Sequence, residues 1–149
     1  MSEPFFLRVM AICLIAVLSP APAAAPPAAS ASNVTLRDTR WVVQTLDGGP
    51  LPAAAKASDV HLVLHASTQH LSGFTGCNRL RGRYTQSGTR LALSAASSSR
   101  IACSPALMQQ EQRLLDVLTA ADAYRIEGPV LSLMQGETVR ITFKASRAR

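Results

Sequence analysis

The chain has 149 residues, with 15 Lys and Arg against 9 Asp and Glu and a formal net charge of +6. That length holds a single core, since one domain takes about 100–150 residues, and it excludes a multidomain machine. Aromatic residues make up only 5%, too few to build stacking platforms for bases, so the positive charge does not point to nucleic acid. It permits contact with anionic headgroups or envelope polymers without selecting among them.

The first residues read as a secretory leader. Arg8 closes a short basic region, Val9 to Leu18 form an apolar run, and Ala21-Pro22-Ala23 offers a small-x-small cleavage site. The run is shorter than the ~20 apolar residues a membrane-spanning helix needs, so cleavage near Ala23 rather than anchoring is expected. Ile12 precedes Cys13 where a lipobox requires a small residue, so a lipoprotein is not expected. Residues 24–33 contain little besides Pro, Ala and Ser and read as a tether. The folded domain is assigned to residues 34–149, in the periplasm or secreted.

From Trp41-Val42-Val43 the text is β-like and turns at Asp47-Gly48-Gly49-Pro50. Val60, Leu62 and Leu64 alternate with His61, Val63 and His65, the period of a strand with one buried face. Ser67-Thr68-Gln69 turns the chain into His70 to Phe74, and further strands are expected over Leu80 to Thr85 and Arg90 to Leu93, joined across Gln86-Ser87-Gly88. Ser104-Pro105 is a helix start, with an N-cap serine and a proline whose missing N–H has no intrahelical partner. Leu107, Glu111, Leu114, Leu115 and Leu118 then predict one amphipathic helix over 105–120. Strands return at Ala123 to Ile126, Val130 to Leu133 and Val139 to Phe143, with turns at Glu127-Gly128-Pro129 and Gln135-Gly136-Glu137. Short strands, tight turns and one helix predict an antiparallel α+β domain.

Cys77 and Cys103 remain once the leader is removed. In an oxidising compartment a disulfide between them is expected, closing a loop of about 26 residues, with two buried thiols as the alternative. Zinc is not expected, because neither cysteine stands in a CxxC pair nor precedes paired histidines. His61 and His65 share a strand face but lie about 13 Å apart, too far for one ion, so the histidines read as polar groups on the solvent face. Arg79, Arg81 and Arg83 alternate with Leu80, Gly82 and Tyr84, which places the cations together on one face as a solvated surface or an anionic-ligand patch. Asp38, Asp47, Asp59 and Glu111 are scattered and the serines lack a nucleophile-elbow context, so no catalytic set emerges.

The segments DTRWVVQTLDGGPL (38–51), LSGFTGCNRLRGRY (71–84), RIACSPALMQQEQRLLDVL (100–118) and YRIEGPVLSLMQGETVRITFKA (124–145) resemble the META domain, whose bacterial members include heat-shock-inducible HslJ-like proteins. The most specific elements are Gly76-Cys77-Asn78 with Gly82 and Tyr84, then Ala102-Cys103, then Met108 and Glu111. The resemblance implies an antiparallel sheet curved into a partial barrel with one helix packed on it. It further implies an envelope or secreted location and roles in stress response or antibiotic tolerance, novobiocin in particular. It implies no enzymatic activity, cofactor or metal. The sequence does not give the partner; an envelope protein or an anionic envelope component is the candidate, and a periplasmic inhibitor or binding module acting on a hydrolase is the alternative reading. Against that background Gly76 and Asn78 suit a tight or left-handed turn. Glu111 lies too deep in the helix to cap it and is expected to pair with an arginine. Trp41 is expected in the core beneath the helix, near Leu114 and Leu118.

Overall fold

A computed structural model describes residues 34–51, 60–97 and 99–146. The leader expected over residues 1–23 and the tether expected over 24–33 lie outside these described residues. So do residues 52–59, 98 and 147–149.

The chain forms β1 (Arg40–Leu46), β2 (Gly49–Pro50), β3 (His61–Leu64), β4 (His70–Phe74), β5 (Arg79–Ser87), β6 (Arg90–Ser97), α1 (Pro105–Ala120), β7 (Ala123–Glu127), β8 (Val130–Gln135) and β9 (Thr138–Ser146). Every expected strand is present, and the helix has its expected bounds. The turn after β1 is tight: Asp47 and Gly48 take φ of 51° and 81°, both positive as a two-residue hairpin turn requires. The turn after β5 falls at Gly88-Thr89, because Ser87 still pairs with Arg90.

All pairings are antiparallel, and the order is β2-β1-β3-β4-β5-β6-β7-β8-β9 with an additional β1–β9 pairing. That last contact closes the expected partial barrel into a ring, leaving β2 as a short flap on β1. That pairing removes the open edges that β1 and β9 would otherwise present. One seam stays narrow, since β6 and β7 pair only at Arg90 and Ala123. The connection between those two strands carries α1, which packs on β6.

Two bulges help the ring to curl. Gln44 is the extra residue of β1 against β9, and Arg140 that of β9 against β8. The second bulge also positions a charge. Arg140 donates to Asp47 at 2.8 Å from its Nε, while Arg113 on α1 donates to the other carboxylate oxygen at 2.5 Å. Burial alone would raise the Asp47 pKa, but these two arginines hold it below the ordinary carboxylate value.

The inward positions fill the ring. Trp41, Leu62, Leu64, Leu71, Leu80, Leu91, Leu131, Leu133, Ile141 and Phe143 form one cluster with Leu114, Val117 and Leu118 of α1. Trp41 is fully enclosed, and its indole N–H donates to the Leu36 carbonyl at 2.9 Å, so the ring is buried without an orphaned donor. Ser104 caps α1 by accepting from the Leu107 amide at 3.4 Å.

Gly73 and Gly82 occupy inward positions where neighbouring backbone comes too close for a side chain. A Cβ on Gly82 would stand 1.8 Å from the Ser94 carbonyl oxygen, and one on Gly73 would stand 2.1 Å from that of His61. Glycine at such points lets a small barrel bend sharply. Gly82→Ala should therefore cost about 3 kcal/mol through forced backbone displacement, read as a lower urea midpoint with an unchanged slope. A midpoint equal to that of the parent chain would show that β5 and β6 can separate without penalty.

Candidate functional site

The turn between β4 and β5 is shaped by Thr75 and Gly76. Gly76 takes φ of 99°, a conformation open to glycine and strained for other residues. Thr75 and Asn78 face each other across it, with the Thr75 amide donating to the Asn78 carbonyl at 2.9 Å. The Thr75 hydroxyl in turn accepts from the amides of Asn78 at 2.9 Å and Cys77 at 3.3 Å. Asn78 closes the expected tight turn, in which Gly76 alone takes a positive φ, and its side chain adds further ties.

That turn presents Cys77 to Cys103, and the two are joined by a disulfide with a Cα–Cα distance of 6.0 Å, within the normal range for an unforced bridge. Asn78 ties the same loop by hydrogen bonds. Its Oδ1 accepts from the Ile101 amide at 2.8 Å and the Ser99 hydroxyl at 2.9 Å. The Ser99 hydroxyl also accepts from the Arg79 amide at 3.0 Å.

Glu111 completes the knot from α1. Its carboxylate accepts from Thr75 Oγ1 at 2.5 Å, Ser97 Oγ at 2.6 Å and Asn78 Nδ2 at 3.3 Å. The expected arginine partner is absent among the described residues, whose ion pairs involve Asp47 and Glu127. Three oriented donors replace a cation, which suits a half-buried carboxylate held against a turn. Met108 and Ala102, from the same sequence motifs, are exposed. Tyr84 is buried, and its hydroxyl donates to the His65 carbonyl at 2.9 Å.

On the outside of the ring, Arg79, Arg81 and Arg83 project from β5 while Leu80 and Tyr84 point inward. The strand register sets His70 opposite Arg83, Ser72 opposite Arg81 and Phe74 opposite Arg79. The β3–β4 hairpin adds His65, whose Nε2 lies 2.7 Å from Ser72 Oγ. Sequence reading found the arginines and histidines separately and did not join them. The turn at Thr75–Asn78 was the signal, because a tight hairpin there forces 72 opposite 81 and 70 opposite 83. No group of three potential metal ligands occurs among the described residues, and no helix among them is long and apolar enough to cross a membrane.

The META-domain sequence family matches residues 34–148. No curated protein matches the chain. A solution NMR structure of a protein from Burkholderia xenovorans is 27% identical, covers 85% of this chain and 100% of its own, and superposes with a TM-score of 0.60. A second NMR structure, 20% identical, covers 74% of this chain and 94% of its own at a TM-score of 0.55. A crystal structure of a DUF4847 family protein from Bacteroides vulgatus, 12% identical, covers 76% of this chain and 96% of its own at 0.54. The latter two share the fold alone.

Two variants test the knot. Removing the disulfide with C77S/C103S should cost about 3.5 kcal/mol in chemical denaturation, from the loop-closure entropy restored to the unfolded chain. Glu111→Ala should cost about 1–2 kcal/mol, since it takes the acceptor from the Ser97 hydroxyl and cuts the bonds of α1 to Thr75 and Asn78, which keep other acceptors. Wild-type stability in the second variant would mean that water satisfies those donors equally well.

Proposed function

The chain belongs to the META-domain family, and on that premise we propose that it is a non-enzymatic module working outside the cytoplasm, in envelope stress response or novobiocin-type antibiotic tolerance. The Cys77–Cys103 disulfide carries this reading, because such bonds persist in oxidising compartments and are rare in the cytosol. The leader read from residues 1–23 agrees with it. The use of the motif residues supports the non-enzymatic part: Gly76, Asn78 and Glu111 shape and hold the turn around the staple. The role in stress and tolerance comes from the family resemblance.

A second reading is favoured by the outer face of β4 and β5. Its clustered arginines fit a binding module for an anionic envelope component, or an inhibitor of an envelope hydrolase.

Fractionation and a deletion strain test the first reading. The protein should be recovered from periplasm or medium without residues 1–23 and with both remaining cysteines blocked to alkylation until reduced. The deletion strain should be more sensitive than its parent to heat, novobiocin or detergent. Recovery from the cytosol with free thiols would overturn the location, and an unchanged sensitivity profile would overturn the role.

A further inference from the structure

The outer face of β4 and β5, with the β3–β4 connection, carries a groove of about 520 Å³ whose polar lining is His65, Thr68, His70, Ser72, Arg81 and Arg83. Side chains facing each other across paired strands stand about 5 Å apart, and alternate residues along a strand about 7 Å apart. The register therefore gathers two guanidinium groups, two imidazoles and two hydroxyls around one depression. Arg81 and Arg83 are exposed, and neither enters an ion pair among the described residues. The Asp38 carboxylate, beyond the end of β3, accepts from the Ala66 amide at 3.1 Å. The Ser72–His65 contact at 2.7 Å orients one imidazole at the groove wall.

We propose that this groove binds a phosphate group, with Arg81 and Arg83 as a two-armed clamp and Thr68, His70 and Ser72 as further donors. The proposal rests on the binding-module reading and names its ligand chemistry. A guanidinium presents a planar fork that matches two oxygens of one anion. Two forks with hydroxyl and imidazole donors supply more hydrogen bonds than the two oxygens of a carboxylate accept, whereas a tetrahedral phosphate offers oxygens in several directions. The phosphate can belong to a lipid headgroup or be free in solution, and the same clamp serves both.

The test uses the purified protein and three probes: inorganic phosphate, phosphatidylcholine vesicles with and without phosphatidylglycerol, and polyglutamate as a carboxylate polymer. Amide NMR should show saturable phosphate-induced shifts at Ser72, Arg81 and Arg83. R81Q/R83Q should weaken binding about tenfold or more, whereas R125Q/K144Q, which removes the same charge from β7 and β9, should change it less than about twofold. Folding of both variants is checked by the amide spectrum itself. Recruitment to phosphatidylglycerol vesicles alone assigns the phosphate to a headgroup, and saturable shifts without recruitment assign it to a soluble source. Equal loss in both double variants would overturn the proposal in favour of diffuse charge. Binding of polyglutamate without phosphate or vesicle binding would overturn the phosphate assignment and leave the anionic-ligand reading standing, and binding of no probe would overturn the phosphate proposal together with the anionic-ligand reading.

Discussion

The tie between the β4–β5 turn and the loop leading into α1 is the constraint around which this fold is arranged. The barrel is weakest between β6 and β7, which share a single pairing, and the whole excursion through α1 leaves and returns at that seam. A helix of 16 residues has little stability on its own. It holds its place because its apolar stripe enters the core, and because Cys103 is bonded to Cys77 one residue ahead of the Ser104 cap. Glu111 repeats the tie two turns further on, through hydrogen bonds to Thr75, Ser97 and Asn78. Covalent and polar contacts thus fasten the start of α1 and the end of β6 to the β4–β5 turn.

A ring of short strands must also bend. Here the bending is done at Gly73 and Gly82, where adjacent backbones come too close for any side chain, and at the Gln44 and Arg140 bulges. These devices have consequences outside the core. The Arg140 bulge delivers a guanidinium to Asp47, which Arg113 of the helix also reaches, so the β1–β2 turn, β9 and α1 meet at one carboxylate. The tight turn at Gly76 sets the register of β4 against β5, and that register arranges the cationic outer face.

Much of this was legible in the sequence because it depends on local pattern. Val60 to His65 and Arg79 to Tyr84 alternate, and alternation has one reading in a half-buried strand. Ser104-Pro105 before a leucine stripe marks a helix start through capping chemistry alone. The cysteine pair was legible for a different reason: with residues 1–23 read as a leader, Cys77 and Cys103 were the cysteines left to pair. Glu111 was misread because its partners lie 36, 14 and 33 residues away. A carboxylate with arginines nearby in sequence invites an ion pair, yet the fold offers it two hydroxyls and an amide. The tight turn at Gly76 and Asn78 was legible, but the bonds of the Asn78 side chain to Ile101 and Ser99 were not, because those partners lie more than twenty residues away.

By itself the sequence determined the strands, the helix with its cap and the inward and outward faces. Each of these follows from side-chain periodicity or turn chemistry, whereas the cysteine partnership was an expectation that the structure settled as a bond. Only the tertiary structure decided that β1 meets β9 to close the ring, that Glu111 is held by neutral donors, and that His65, His70 and Ser72 stand beside Arg81 and Arg83. These are pairings between distant segments. Their geometry depends on register, bulges and backbone approach, which no short stretch of the chain encodes alone.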